Sequence, residues 1–336
     1  MNSKDNEIAL RDRRGFKLAF IGILAALCVI AFVIGNMRGT MNISSGRVFE
    51  VLFSDDGTAE RMVIWNIRLP RMILAGLVGI NLAMAGAILQ GVMGNPLADP
   101  SIIGISSGAG LFAIFVLVVV PQHQSVVPLV AFVGAILAAS IIYILAWKGG
   151  IQPMRIILAG VAVSALFGAG ISATLVFFSD RVHGALTFMN GSLSARSWPE
   201  VQMILPYTAA GLVLVNLFSK KLNILILGDE TARSLGLNVE AVRLCFTALA
   251  AFLAASSVSA VGLLGFVGLI VPHSVKLIIG SDYRFVFPAS ALMGAALVMF
   301  SDTFARTVMS PTEIPVGLVM AVLGAPFFLY LLRRGQ

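Results

Sequence analysis

The side chains able to do chemistry are few and scattered: three histidines, two cysteines and sixteen acids in 336 residues. His123 and His183 stand in loops with no Cys, His or carboxylate at ligand spacing, so no metal site is expected. His273 follows Pro272 inside an interrupted apolar stretch, where a local hydrogen bond at a helix break is its expected role. Cys28 lies in mid-span and Cys245 at the start of another span, so their depths differ and no disulfide is expected. The chain has no Gly-Lys dipeptide and cannot form the GxxxxGK[ST] phosphate loop, so any ATP hydrolysis must come from another subunit. No nucleophile–base constellation stands out, and no catalytic residue or cofactor site is assigned. Ion-coupled carriers usually place acids at mid-membrane, and here only Asp302 falls inside an apolar span. Arg306 follows it one turn later, a spacing at which the two can pair.

Those residues sit in a chain that is 58% apolar and 12% charged, against about 25% charged in soluble proteins. It reads as an all-α polytopic membrane protein, one transmembrane domain over residues 1–336. A span needs about 20 mostly apolar residues. Ten segments qualify: Phe16–Asn36, Arg68–Val92, Ile102–Val120, Val127–Trp147, Arg155–Phe178, Pro199–Phe218, Leu244–Val261, Leu264–Ile279, Phe287–Arg306 and Ile314–Leu332. The first is read as an anchor and not as a cleaved signal, because nine spans follow it. The eighth is short and broken by Pro272. With both termini in the cytoplasm, fifteen of the 23 basic residues lie inside, among them Lys4, Arg11, Arg13, Lys148, Lys220, Lys221 and Arg334. The net charge of +7 is then a topology signal of the sign the positive-inside rule requires, and nucleic acid is not an expected partner.

The largest polar interruption is Ser219–Arg243, cytoplasmic in this orientation. It opens on Lys220 and Lys221, runs through Leu222–Leu227 and turns at Gly228. Asp229 is the expected N-cap of a short helix, Glu230 suits its positive end, Gly236 ends it, and Asn238 caps a second helix. Two short helices joined at a glycine on the membrane surface have the shape of a docking knob; a solvated loop is the plainer alternative. Gly91–Pro100, with two glycines and two prolines, must turn on the same face, and Gly104–Gly110 supplies small residues for close helix contact. Outside, Ser179–Trp198 holds a short helix candidate around Gly184–Met189 and a turn at Asn190–Ser192, the pattern of a re-entrant element.

Five pieces in order carry a resemblance: IRLPR at Ile67–Arg71, AGAILQGVMGNPLADPSIIGISSGA at Ala85–Ala109, GDETARSLGLNVEAVR at Gly228–Arg243, GFVGLIVPHSVKLIIGSDYR at Gly265–Arg284 and EIPVGLVMAVLGAPFFLYLLRR at Glu313–Arg334. From Arg68 to Arg334 the chain resembles the FecCD-type permease subunits of iron-siderophore, haem and vitamin B12 ABC importers. That resemblance implies a ten-helix bundle with an inverted repeat, spans two to five against seven to ten. It implies a second permease, identical or related, a cytoplasmic ATPase dimer, an extracytoplasmic binding lipoprotein and surrounding membrane lipid.

Carried onto this chain, the resemblance makes Ser219–Arg243 the coupling segment, with Asp229, Glu230, Arg233, Leu235 and Gly236 seated on the ATPase. Arg68 and Arg306, at outer span ends, become partners of acids on the binding protein; anchoring in the headgroups and pairing with Asp302 are the structural alternatives. The pathway falls to Ala165, Ala169, Ser172 and Thr174, with Met189 and Asn190 near the mouth, although small residues equally suit helix packing. A ferric siderophore is the expected cargo, with haem, vitamin B12 or an ion-coupled carrier as alternatives.

Overall fold

The computed structural model describes residues 14–39, 41, 43–53, 57–101, 104–147 and 153–333, which form helices and short connections. Lys4, Arg11, Arg13, Lys148, Arg334 and the start of the third span at Ile102 lie outside the described residues. Helix α1 covers Arg14–Met37; two short helices follow, α2 (Ser45–Phe53) and α3 (Ala59–Val63), and a π turn, Ile64–Arg68, leads into α4 (Leu69–Met93). Beyond it come α5 (Ile105–Val119), α6 (Val127–Ala146), α7 (Pro153–Phe177), α8 (Val182–Asn190) and α9 (Trp198–Leu225). The chain closes with α10 (Asp229–Ser234), α11 (Val239–Val261), α12 (Val267–Ile279), α13 (Tyr283–Thr307) and α14 (Val316–Arg333). Among the described residues seven helical segments are long and apolar enough to cross a membrane and three more are shorter apolar helices, a number consistent with the ten expected spans.

Helix α4 is buried on all its faces, its polar Arg71, Asn81 and Gln90 included. It is the axis of the bundle: α9, α11, α12 and α13 pack on it. A Cβ at Gly79 would stand 2.2 Å from the Gly294 carbonyl oxygen, and one at Gly86 1.9 Å from that of Gly268, so α13 and α12 touch α4 backbone to backbone. Without a hydrophobic drive between helices in lipid, close approach at small residues is what holds such pairs together.

Three expected boundaries move. Helix α9 continues past Phe218 to Leu225, so Lys220 and Lys221 belong to the span's last turns, held in phase by buried Leu222 and Leu225. Its 28 residues reach about 42 Å. The break near the eighth span is not at Pro272: α12 runs through it, and the irregular stretch is 262–266, just before the helix. At 13 residues α12 is about 20 Å long, too short to cross alone. Finally, α11 begins at Val239, with the Asn238 side chain accepting from the Ala241 amide, so the second helix of the knob is the start of the span itself.

Candidate functional site

Pro272 lacks an N–H, so the carbonyl four residues earlier, on Gly268, loses its helical donor. Gln90 of α4 fills that place: its Nε2 donates to Gly268 O and Leu269 O, each at 3.2 Å. Lys276 Nζ donates to the other end of the same amide, Gln90 Oε1, at 3.0 Å, and stands 5.1 Å from the Tyr283 ring centroid. Across the start of α12 lies Asp99, from the connection after α4, so close that a Cβ on Gly268 would sit 2.8 Å from its Oδ2. A carboxylate suits the positive end of a helix. Burial pushes the Asp99 carboxyl up, against hydrogen bonds from the Ser101 hydroxyl and amide. His273 does not make the expected bond through Nε2, which has no partner among the described residues; its ring meets Phe327 edge-on at 6.1 Å.

Irregular backbone is tolerated inside a bilayer only where other protein groups satisfy it. Here two breaks satisfy each other. Leu263 N donates to Phe188 O at 2.9 Å, Ser192 N to Val261 O at 2.8 Å, and Gly317 N to Gly191 O at 3.2 Å. The end of α8, the 262–266 stretch and the start of α14 therefore meet in one junction. It closes only with glycine: a Cβ at Gly317 would fall 1.9 Å from Asn190 O. Asn190 belongs to this junction, and Met189 packs against the Ile114, Val118, Ile171 and Ala185 cluster. Ala165, Ala169 and Ser172 share the exposed face of α7, while half-buried Thr174 turns back to donate to Gly170 O at 2.9 Å.

At the opposite end of α9 from Trp198 stands the knob. Gly228, with φ +100°, is the N-cap of α10, so Asp229 is its first helical residue and not its cap. The Asp229 carboxylate is instead gripped by Arg243 of α11, at 2.7 and 2.9 Å. Gly236 ends α10 in the left-handed region, φ +80°, and its amide donates to Arg233 O while that of Leu237 donates to Ala232 O. That pair of bonds is a Schellman closure. Glu230, Arg233 and Leu235 remain exposed, with Arg233 bonded to Glu240 at 2.6 Å. Nearby, Asp282 caps α13: burial pushes its carboxyl up, but hydrogen bonds from Arg284 and Asn223 prevail and hold it at about 2.

The arginines expected at outer span ends are not on the surface. Arg68 is 3% exposed and donates to the carbonyls of Asn36 at 2.8 Å, Met37 at 3.1 Å and Met41. Arg306 is 7% exposed and donates to Gly35 O. Both hold the C-terminal end of α1, whose unpaired carbonyls and negative dipole end attract cations. The expected Arg306–Asp302 pair is only a long contact of 3.9 Å. Asp302 is gripped by Arg71, which also reaches Glu313 at 3.0 Å. Sequence reasoning missed Arg71, Glu313 and Gln90. The signal for Gln90 existed: Pro272 frees a carbonyl, and a buried amide is what can answer it.

A bundle of membrane-spanning helices, with a break before α12 closed by neighbouring backbone and a short helical knob at one end, has the architecture of a transport subunit. The model of the FecCD transport family matches residues 27–334, and the chain belongs to that family. It is 42% identical to the Fe(3+)-citrate import system permease protein YfmE of Bacillus subtilis, covering 94% of this chain and 95% of that one. It is 39% identical to the hemin transport system permease protein HmuU of Yersinia pestis, again covering 94% and 95%. Among solved structures, an inward-facing metal-chelate type ABC transporter superposes with a TM-score of 0.84 at 26% identity, over 94% of this chain and 98% of that one.

Proposed function

We propose that this chain is the permease subunit of an ATP-driven importer that carries an intact iron(III)-siderophore complex into the cytoplasm. Two permeases, identical or related, flank the pathway; a pair of ATPase subunits binds the knob face, and an extracytoplasmic binding protein delivers cargo to the other. Both termini then lie in the cytoplasm. The chain itself hydrolyses no ATP. The observation that carries the reading is the knob: a short helix closed at Gly236 and bonded through Asp229–Arg243 to α11, and so able to pass motion to the span that ends at the 262–266 break. Asp229, Glu230, Arg233, Leu235 and Gly236 form its ATPase contact. Ala165, Ala169, Ser172 and Thr174 line the pathway, with Met189 and Asn190 at the junction. Arg68 and Arg306 are the docking arginines of the binding-protein face, each engaged with α1 carbonyls in the free chain.

Iron is favoured because relatives named for iron chelates stand among the most similar chains, and YfmE is named for ferric citrate. A haem cargo is the second reading, since HmuU is nearly as similar. The test is uptake by proteoliposomes holding the permease, its ATPase and its binding protein. The expected result is ATP-dependent, vanadate-sensitive uptake of a labelled ferric siderophore, with haem and cobalamin left outside. Uptake driven by an ion gradient without ATPase would mean a secondary carrier.

A further inference from the structure

Between the knob and the last turns of α9 lies a groove of about 400 Å³ to which the transport reading assigns no ligand. Its walls are Leu214, Phe218, Leu237, Phe246 and Leu249, and Lys221 stands at its rim. The groove lies beside the outward face of α9, where Val213 is 64% and Leu217 67% exposed, apolar surface suited to acyl chains in a bilayer. Lys220 and Lys221 are both exposed, and no acid within ion-pair distance faces either among the described residues. The other cations of the knob are matched, Arg233 by Glu240 and Arg243 by Asp229. Lys221 lies over the Phe218 ring, 4.9 Å from its centroid, which holds the ammonium at the groove mouth. From Lys221 to Leu214 the helix descends about 10 Å toward the bilayer centre. Cation above and apolar slot below is the shape of one phospholipid.

We propose that this groove binds an anionic phospholipid of the cytoplasmic leaflet, with its phosphate on Lys221 and one acyl chain along Leu214, Phe246 and Leu249. Because Gly236, Leu237 and Asn238 line the same groove, the lipid ties the knob to α9 and α11 and favours the orientation in which it meets its ATPase. The inference rests on the transport reading for the side of the membrane. Its direct readout, however, is independent of uptake.

Cys245 opens into the groove and is exposed, so its thiol reports occupancy. The full chain carrying Cys28→Ser is placed in nanodiscs of phosphatidylcholine, with or without phosphatidylglycerol, and modification of Cys245 by a maleimide is timed. Phosphatidylglycerol should protect the thiol, with an affinity about five-fold above that of phosphatidylcholine, the worth of one interfacial lysine. Lys221→Gln should erase the difference, Lys221→Arg should retain it, and Leu249→Trp should leave the thiol shielded whatever the lipid. Equal protection by both lipids, or selectivity surviving Lys221→Gln, would overturn the proposal. Protection by inorganic phosphate alone would make this an anion site only, and protection by the ATPase alone without anionic lipid would make it a protein contact; either also overturns it. Failed ATP-dependent uptake with intact lipid protection would instead sink the transport reading and leave the groove assignment standing.

Discussion

Arg71 and Asp302, 231 residues apart in the chain, form a two-pronged ion pair between α4 and α13: Nη2 donates to Oδ1 at 2.8 Å and Nε to Oδ2 at 2.9 Å. The pair is closed off from solvent, with Arg71 7% and Asp302 1% exposed at the side chain. A third helix joins through Glu313, just before α14, which is 38% exposed. The end of the bundle at which α4 begins is thus pinned by one planar guanidinium, whose fork suits two carboxylates as a lysine could not.

Removing one member of a buried pair costs about 3–5 kcal/mol where the other charge is left alone, and Asp302→Asn leaves Arg71 only its half-exposed arm to Glu313. The half-exposed arm to Glu313 is worth about 0–1 kcal/mol. Asp302→Asn should therefore lower the thermal midpoint of the detergent-purified chain far more than Glu313→Gln. Equal shifts would show that the two arms carry the same load and that burial does not rank them.

The knob and this clamp differ in what the sequence reveals. Gly236 and Asn238 obey local rules, a glycine after a short polar helix and an Asn before an apolar run, so both caps stand where the residue types put them. Asp229 was misplaced by one residue because Gly228 took the cap and the carboxylate found Arg243 fourteen residues on. Helical spacing favoured Arg306 as the partner of Asp302, yet Arg306 is drawn to the end of α1 and Arg71 arrives from another helix. A contact of that kind has no local signature. The break before α12 was misassigned to Pro272 for a related reason: a proline in a helix is tolerated once a tertiary donor, here Gln90, takes up the freed carbonyl.

Gly236→Val tests the knob. A Cβ at Gly236 meets nothing within 4 Å, so the substitution acts only through the backbone, whose φ of +80° costs a branched residue about 1–2 kcal/mol or more. Membrane insertion should survive while co-purification of the ATPase falls. Gly236→Asn, which visits the left-handed region more easily, should retain most of it. Unchanged co-purification in the valine variant would remove this turn from coupling.

Gln90→Leu removes the donor that answers Gly268 O and the acceptor that answers Lys276. An unpaired buried carbonyl costs about 1–3 kcal/mol, and the stranded ammonium adds to it. The expected result is a lower thermal midpoint and slower ATP-driven uptake. In the Pro272→Ala background the helix regains its own donor, so the penalty of Gln90→Leu should shrink; an undiminished penalty would refute the assignment of Gln90 to that carbonyl.

Two glycines at and beside the junction of α8 and α14 separate packing from backbone freedom. At Gly317 an added methyl would strike Asn190 O at 1.9 Å, whereas at Gly265 it would meet nothing within 4 Å. Gly317→Ala should force α14 away from the end of α8 and abolish uptake without preventing insertion. Gly265→Ala should transport nearly as the parent does. Full uptake by the Gly317 variant would mean that the junction yields freely and does not set the pathway.

The docking arginines need a substitution that separates charge from shape. Arg68 and Arg306 are buried against the end of α1, so reversal to Glu would place a carboxylate among carbonyl oxygens and damage the fold whatever their role. Glutamine keeps an amide donor for those carbonyls and removes only the charge. If the two arginines meet acids of the binding protein, Arg68→Gln or Arg306→Gln should leave the unfolding free energy within about 1–2 kcal/mol of the parent while weakening association. The lost part should be the salt-sensitive part, because the charge removed acts on the partner's acids through Coulomb attraction that salt screens. Association measured between 50 mM and 500 mM salt, about a threefold change in Debye length, should then vary less in the variant than in the parent. An unchanged affinity and an unchanged salt slope, with a lowered thermal midpoint, would assign both arginines to capping α1 and move the docking surface elsewhere on that face.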